Sequence, residues 1–390
     1  MNILFLIGKY PGYGGTEKVT TVLANAFTKK GYQVSIASFE QPAPDLISEL
    51  KSGIDLFSLS YPVLTKKNIS YLREIISSNH IDFIINQWCL PYYTTILCNK
   101  ARKDTDCKLL SVLHGIPDKS KKVIVVEDAI RNSHNIVNAS LNRIKLQLYH
   151  LIVKNSSKYV YKNSDRYIVL SESFIDSFKR YIKINDRDKL LSISNPLTIE
   201  NLKSDIKNKC HQILYVGRLD FENKRVNRIV EAWEDLYETY KDWELILVGD
   251  GPHRTDLNNY INKKNIKRVS FTGFIKEEPI KYYQKASILM LTSDLEGFGL
   301  VIVESMVYGV IPVVYGSYEA VYDIIDHGET GYITPVPYSK DKTVDYLKRL
   351  MDDEELRKSM AIRAMNSVEK FSLAKITNKW ESLFIQLINN

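Results

Sequence analysis

Residues 289–309 read LMLTSDLEGFGLVIVESMVYG, and the rest of the chain can be ordered around them. Ile288–Leu291 is a short apolar run of the buried-strand type. It breaks at Thr292-Ser293-Asp294 and passes through Glu296-Gly297-Phe298-Gly299. Leu300–Met306 then resumes as a helix apolar enough to lie on a sheet, with Gly309 as its stop. A strand, a glycine-broken turn and a helix start present free backbone N–H groups and a positive dipole end at the carboxyl edge of a sheet. Anionic ligands bind there in open α/β folds. Glu296 lies in the turn and Glu304 further along the helix, with seven residues between them. Two carboxylates beside an anion site suit a ligand carrying hydroxyls as well as phosphate, because a carboxylate accepts hydrogen bonds from sugar OH groups. Read blandly, the same stretch is an ordinary strand–turn–helix unit with two boundary glutamates.

The chain opens with a second such unit. Asn2–Gly8 is an apolar strand, Lys9–Gly15 (KYPGYGG) a turn, Thr16–Lys30 an amphipathic helix with Thr16 as its N-cap, and Tyr32–Phe39 the next strand. The turn holds Gly12, Gly14 and Gly15 but is not G-x-G-x-x-G. Ile81–Asn86 and Lys108–Leu113 are further buried strands, followed by Gln87-Trp88 and by His114-Gly115. A His at the carboxyl end of a strand is placed for a ligand site. Ile136–Val153 has a helical pattern with Leu141, Ile144, Leu148 and Ile152 along one side. That side suits either core packing or a membrane surface, and core packing is the expectation taken here. Asp165–Leu170 is a strand, Phe174–Tyr181 a helix and Leu190–Ile193 a strand; Pro196 and the polar run Glu200–Cys210 read as a linker.

The α/β rhythm then repeats. The strand Gln212–Val216 enters Gly217-Arg218-Leu219, with Lys224 at the head of a helix Val226–Tyr240. Glu244–Val248 enters Gly249-Asp250-Gly251-Pro252, Val269–Phe271 enters Thr272-Gly273-Phe274-Ile275, and Val310–Val314 follows the opening stretch. Arg218 and Lys224 are two cations at the rim of the first of these strands, suited to clamping a diphosphate; as plain surface cations they need no ligand.

Together these motifs resemble retaining glycosyltransferases of the GT-B fold, family 4 (glycosyl transferases group 1), whose signature is Glu-x7-Glu. The resemblance is strong over residues 210–335, moderate over 1–40 and 108–115, and weak elsewhere. It implies an α/β protein of two Rossmann-like, doubly wound domains facing across a cleft. Residues 1–195 would form the acceptor domain and 196–370 the nucleotide-sugar donor domain, with the last helix, 371–390, crossing back to the first. It gives Glu296 the donor sugar's hydroxyls and Glu304 the ribose. Arg218 and Lys224 receive the diphosphate in place of a metal, His114 the sugar, Gly14 and Gly15 the donor phosphate, and Ile275 the base. Gly297, Phe298, Gly299 and Leu300 complete the donor loop, although Gly297 stands at a place the family varies freely.

The implied reaction is metal-independent transfer, with retention, of a hexose or N-acetylhexosamine from a nucleotide-diphosphate sugar, UDP favoured over GDP. The acceptor is a glycan or glycolipid of bacterial surface polysaccharide synthesis, and no cofactor is required. The alternatives are a non-catalytic nucleotide-sugar binding subunit and a GT-B epimerase. A phosphorylase of this fold needs a pyridoxal-bearing lysine and a longer chain. Asp104-Thr105-Asp106 matches a D-x-D metal motif of the other main glycosyltransferase fold, but it precedes a strand instead of following one, and no metal is expected there.

Composition agrees with an ordered globular protein: 390 residues, 44% apolar and 25% charged, enough for about two domains. The net charge of +7 is uneven. Residues 1–195 carry 27 basic against 17 acidic side chains, and residues 196–390 carry 26 against 29. The basic half suggests peripheral contact with an anionic membrane or acceptor, with the segment Lys100–Lys122 as the candidate. No basic helix interleaved with aromatics points to nucleic acid. Cys89, Cys98, Cys107 and Cys210 form no C-x-x-C pair and read as reduced. Ile3–Ile7 is too short for a signal peptide, and no apolar run approaches the roughly 18–20 residues of a membrane span. The expected location is the cytoplasm, with peripheral contact at the inner face of the cell membrane.

Overall fold

Runs of Ile, Leu, Val and Phe with no polar alternation must be covered on both faces, and parallel sheets with helices on either side do this. The protein is described by a computed structural model covering residues 1–131, 133, 135–199 and 206–389. It divides into two compact units: residues 1–118, 134–198 and 371–390, and residues 119–133 and 199–370.

The first unit contains β1 (Asn2–Lys9), β2 (Gln33–Glu40), β3 (Ile54–Ser58), β4 (Phe83–Asn86), β5 (Lys108–Leu113), β6 (Arg166–Val169) and β7 (Leu190–Ser192). Their order is β3-β2-β1-β4-β5-β6-β7, with every pair parallel. The second contains β8 (Gln212–Val216), β9 (Glu244–Val248), β10 (Val269–Gly273), β11 (Ile288–Leu291), β12 (Ile311–Tyr315) and β13 (Tyr332–Thr334). Their order is β10-β9-β8-β11-β12-β13, again all parallel. Both sheets are doubly wound, and each reverses direction beside its first strand, at β1/β4 and at β8/β11. The topological switch point, where ligands bind in open α/β sheets, therefore falls at these two places.

Several local expectations are corrected. The first helix, Gly15–Lys29, is capped by Gly14 with no side-chain bond, so Thr16 is inside the helix and not its cap. The helix after Lys224 ends at Glu234, because the chain passes into turns before Tyr240. The helix begun at Ile136 runs 28 residues to Asn163, and its Leu141, Ile144, Leu148 and Ile152 are exposed instead of packed in a core. Its C-terminal end is anchored through buried Ser157, Val160 and Tyr161, and its middle through the His150 carbonyl, which accepts a hydrogen bond from Tyr181 Oη at 3.0 Å. Residues 119–133, which the sequence reading keeps in the first domain, group with the second unit. Of the expected linker, residues 200–205 lie outside the described residues.

The C-terminal helix Leu373–Ile388 packs in the first unit. Phe384 is fully buried, with its ring centroid 4.6 Å from that of Phe83 and 5.6 Å from that of Phe27. Glu381 accepts hydrogen bonds from Lys30 and, at 2.7 Å, from Tyr32. Among the described residues no helix is long and apolar enough to cross a membrane.

Candidate active site

In the second unit the site is built at the carboxyl ends of β8 and its neighbours. Glycines let the loops there approach backbone to backbone. Gly249 has φ +131°, and a Cβ on it would lie 2.0 Å from the Gly217 carbonyl oxygen; one on Gly251 would lie 2.3 Å from that of Leu219. The crossing leaves Arg218 exposed at the rim, and its guanidinium pairs with no acid among the described residues. Asp220 Oδ1 then accepts the backbone N–H groups of Asn223 (2.8 Å) and Lys224 (2.9 Å), turning the chain so that Lys224 Nζ donates to Glu296 Oε1.

Glu296 arrives from the other side of the switch point, in the turn after β11. A charge-assisted network holds that turn. Asp294 accepts from Arg225 Nε at 2.5 Å and from Arg228 at 2.6 Å, and Asp294 N–H donates to the Asn223 carbonyl at 2.8 Å. Arg225 also pairs with Asp128, on the helix Lys121–Arg131 that joins this unit from the first half of the chain. Glu296 and Lys224 are both largely buried, at 14% and 23% side-chain exposure, so their attraction is only weakly screened by water. Around them, burial first and the Glu296 charge second hold the Tyr215 and Tyr318 hydroxyls well above the ordinary tyrosine pKa. Tyr318 Oη is buried with no partner among the described residues.

Past Gly297 and the buried Phe298, Gly299 adopts φ +90° and caps the helix Leu300–Val307 without any side-chain bond. Ile302 N–H donates to the Gly299 carbonyl at 2.9 Å, so it is the N–H groups of Leu300 and Val301 that the helix start leaves for a ligand or water. Glu304, the fifth residue of the helix, is 4% exposed and accepts a hydrogen bond from Tyr283 Oη at 3.0 Å. Ile275 is half-buried two residues beyond β10, at the far edge of the sheet, with β9 and β8 between it and β11.

In the first unit, His114 follows β5 and Gln87 follows the adjacent β4, and Gln87 Oε1 accepts from His114 Nε2. An amide oxygen cannot donate, so Nε2 carries the proton and Nδ1 remains an acceptor. Burial of the imidazole pushes its pKa down to about 4, although the residue as a whole keeps some exposure. The ring is neutral at pH 7. Gln87 Nε2 is buried and without a partner among the described residues. Gly14 and Gly15 are exposed at the start of the first helix, where the Glu17 carboxylate folds over them; a Cβ on Gly14 would lie 2.0 Å from Glu17 Oε2. Burial raises the Glu17 pKa, against the lowering effect of its own backbone N–H and of Lys9. Asp104 and Asp106 lie in the turn entering β5, at its amino end.

Residues 13–200 match the family Glycosyltransferase Family 4, and residues 199–367 match Glycosyl transferases group 1. The chain belongs to glycosyltransferase family 4. This glycosyltransferase is similar to the N-acetyl-alpha-D-glucosaminyl L-malate synthase of Bacillus anthracis, with 24% identity covering 98% of this chain and 96% of that one. It is also 24% identical to the Campylobacter jejuni alpha-1,4-N-acetyl-D-galactosaminyltransferase that acts on GalNAc-alpha-(1->4)-GalNAc-alpha-(1->3)-diNAcBac-PP-undecaprenol, covering 100% of this chain and 99% of that one. In fold it is similar to Anabaena Alr3699/HepE, solved in complex with UDP and glucose, with a TM-score of 0.74, 18% identity, and 99% and 100% of the two chains covered. The family carries the GT-B fold, and both doubly wound sheets of the glycosyltransferase agree with it.

The structure thus brings Lys224 and Glu296 into contact and sets Arg218 and Gly299–Leu300 on the same sheet edge. It puts Glu304 beneath, against Tyr283. The residues that sequence reading passed over are those holding the others in place: Asp294, Arg225, Arg228, Asp128, Tyr283, Tyr318 and Gln87. For Arg225 the signal was present, as a second cation beside Lys224. For Tyr283, 21 residues before Glu304, nothing local marks the pairing.

Proposed function

We propose that the glycosyltransferase moves a hexose or N-acetylhexosamine from a UDP-sugar to a glycan or lipid-linked acceptor of bacterial surface polysaccharide synthesis, with retention and without a metal. The observation that carries this reading is the Lys224–Glu296 pair beside Arg218, which pairs with no acid among the described residues, and the helix start at Gly299, which has no side-chain cap. A nucleotide-diphosphate sugar has a partner for each group: phosphate oxygens for the two cations and the helix start, sugar hydroxyls for the carboxylate. Fixed cations that neutralise a departing diphosphate supply electrostatic catalysis that a divalent ion supplies elsewhere. The C1–phosphate oxygen bond breaks while the acceptor oxygen bonds C1 on the same face, and the acceptor's proton passes to the departing diphosphate. His114, Gly14, Gly15, Ile275 and Glu304 keep the donor contacts that the family resemblance gives them. The neutral imidazole suits hydrogen bonding to a sugar better than charge pairing with phosphate. UDP is favoured because a protein of the same fold holds UDP and glucose, and a lipid-linked acceptor because a relative acts on an undecaprenyl diphosphate glycan.

The test is nucleotide release from UDP-glucose, UDP-galactose, UDP-N-acetylhexosamines and GDP-mannose, with and without EDTA, followed by NMR of the product anomer. Turnover with a UDP-sugar, unaffected by EDTA and giving the donor's anomer, is expected. Use of the GDP donor alone, an inverted anomer, or EDTA loss restored by Mg²⁺ or Mn²⁺ would each overturn the corresponding part.

A further inference from the structure

The helix Ile136–Asn163 presents an apolar face to solvent. Val137, Leu141, Ile144, Leu148, Leu151 and Ile152 are each more than half exposed. At about 100° per residue they fall within one stripe roughly 100° wide, and at ~1.5 Å per residue the stripe is about 22 Å long. The helix's buried residues, Ser157, Val160 and Tyr161, lie on the opposite side, so the stripe faces away from the body of the first unit. Isolated apolar side chains on a surface need no explanation; a continuous row of six does.

The charges on the helix say what the stripe meets. Ile136–Asn163 contains Arg143, Lys145, Lys154, Lys158 and Lys162 and no Asp or Glu. Lys145 flanks the stripe on one side and Lys158 on the other, with Lys154 and Arg143 further round the helix. None of these four pairs with an acid among the described residues. By contrast, within the basic segment Lys100–Lys122, Arg102 is held by Asp165 at 2.5 Å and Lys119 reaches the Ser317 carbonyl at 3.5 Å. A second copy of this helix laid against the stripe would bring five positive charges onto five others. A surface with anionic headgroups over an apolar interior matches both the stripe and its flanks.

We propose that the outer face of Ile136–Asn163 docks the enzyme on an anionic lipid surface. The apolar row sinks to the level of the acyl-chain boundary while the Lys and Arg around it meet the headgroups. The inference stands apart from the donor chemistry, because its test reads vesicle binding and not sugar transfer.

The full chain is co-sedimented with phosphatidylcholine vesicles and with phosphatidylcholine vesicles containing phosphatidylglycerol. Binding to the second alone, weakened by salt, is expected. Leu141→Gln with Ile144→Gln and Leu148→Gln should lower the partition coefficient by about tenfold or more, as should Lys145→Glu with Lys154→Glu. All five positions are outside the core, so unchanged circular dichroism and thermal midpoint are expected of both variants. Failure of the wild type to bind anionic vesicles, or equal binding by the variants, overturns the proposal. So does a concentration-dependent dimer that the apolar variant abolishes without any change in vesicle binding.

Discussion

Arg218 and Lys224 are both cations at the mouth of β8, yet they are held differently. Lys224 is committed to Glu296, while Arg218 has no acid partner among the described residues. Removing Arg218 therefore breaks nothing in the free protein. Arg218→Ala should lower kcat by about 10²–10³-fold, the range seen when one donor to a developing anion is lost, and leave the unfolding midpoint in place. Steady-state kinetics beside a thermal melt check this; wild-type kcat would remove the clamp. His114 allows a second test at this scale. Its folded pKa of about 4 lies below the ordinary 6.5, so between those values the unfolded chain holds a proton that the folded one refuses. Stability then falls as pH drops from 6.5 towards 4, with nothing further lost below the folded pKa. His114→Gln should flatten that slope by about one proton, read from urea midpoints across the window.

At the scale of elements, legibility in the sequence followed the environment of each strand. β5, β8 and β9 are legible to the residue because they are short apolar runs with polar ends, as two-sided burial requires. β3 was missed: Asp55, Leu56 and Ser58 are exposed on this edge strand, so no continuous apolar run marks it. β13 is three residues long and gives no period to read. The stripe of Ile136–Asn163 was seen, but periodicity reports that a face is apolar and not what lies against it. The glycine loops were legible as turns, whereas their close approach is a tertiary fact. It can be tested by contrast. Gly31 has φ +87° with open space around it, so Gly31→Ala should cost only the left-handed strain, about 1–2 kcal/mol. Gly249→Ala adds a collision with the Gly217 carbonyl and should cost more than about 3 kcal/mol. Equal urea midpoints for the two variants would contradict the crossing.

For the whole molecule, two α/β domains are legible because the strand–helix pattern repeats, whereas the return of the last helix came only from the family resemblance. The sequence did not carry the transfer of residues 119–133 to the second unit, since nothing in Lys119–Ser133 resembles a domain boundary. The return of the last helix makes the first unit depend on residues far away in the chain. Phe384→Ala should cost about 3–5 kcal/mol and act within one unit. Hydrogen exchange should speed up in β1 and β4 and leave β8 and β9 protected; equal acceleration in both sheets would mean that the units unfold together.

The same threading sets an order of events on the ribosome. Domains commonly complete themselves in the order in which they are made, but here the first unit needs residues 371–390 while the second has all of its residues once 370 is added. The later-encoded lobe is the first able to close. Until residues 371–390 have been made, the nascent leading lobe carries Phe27 and Phe83 without the aromatic ring that covers them.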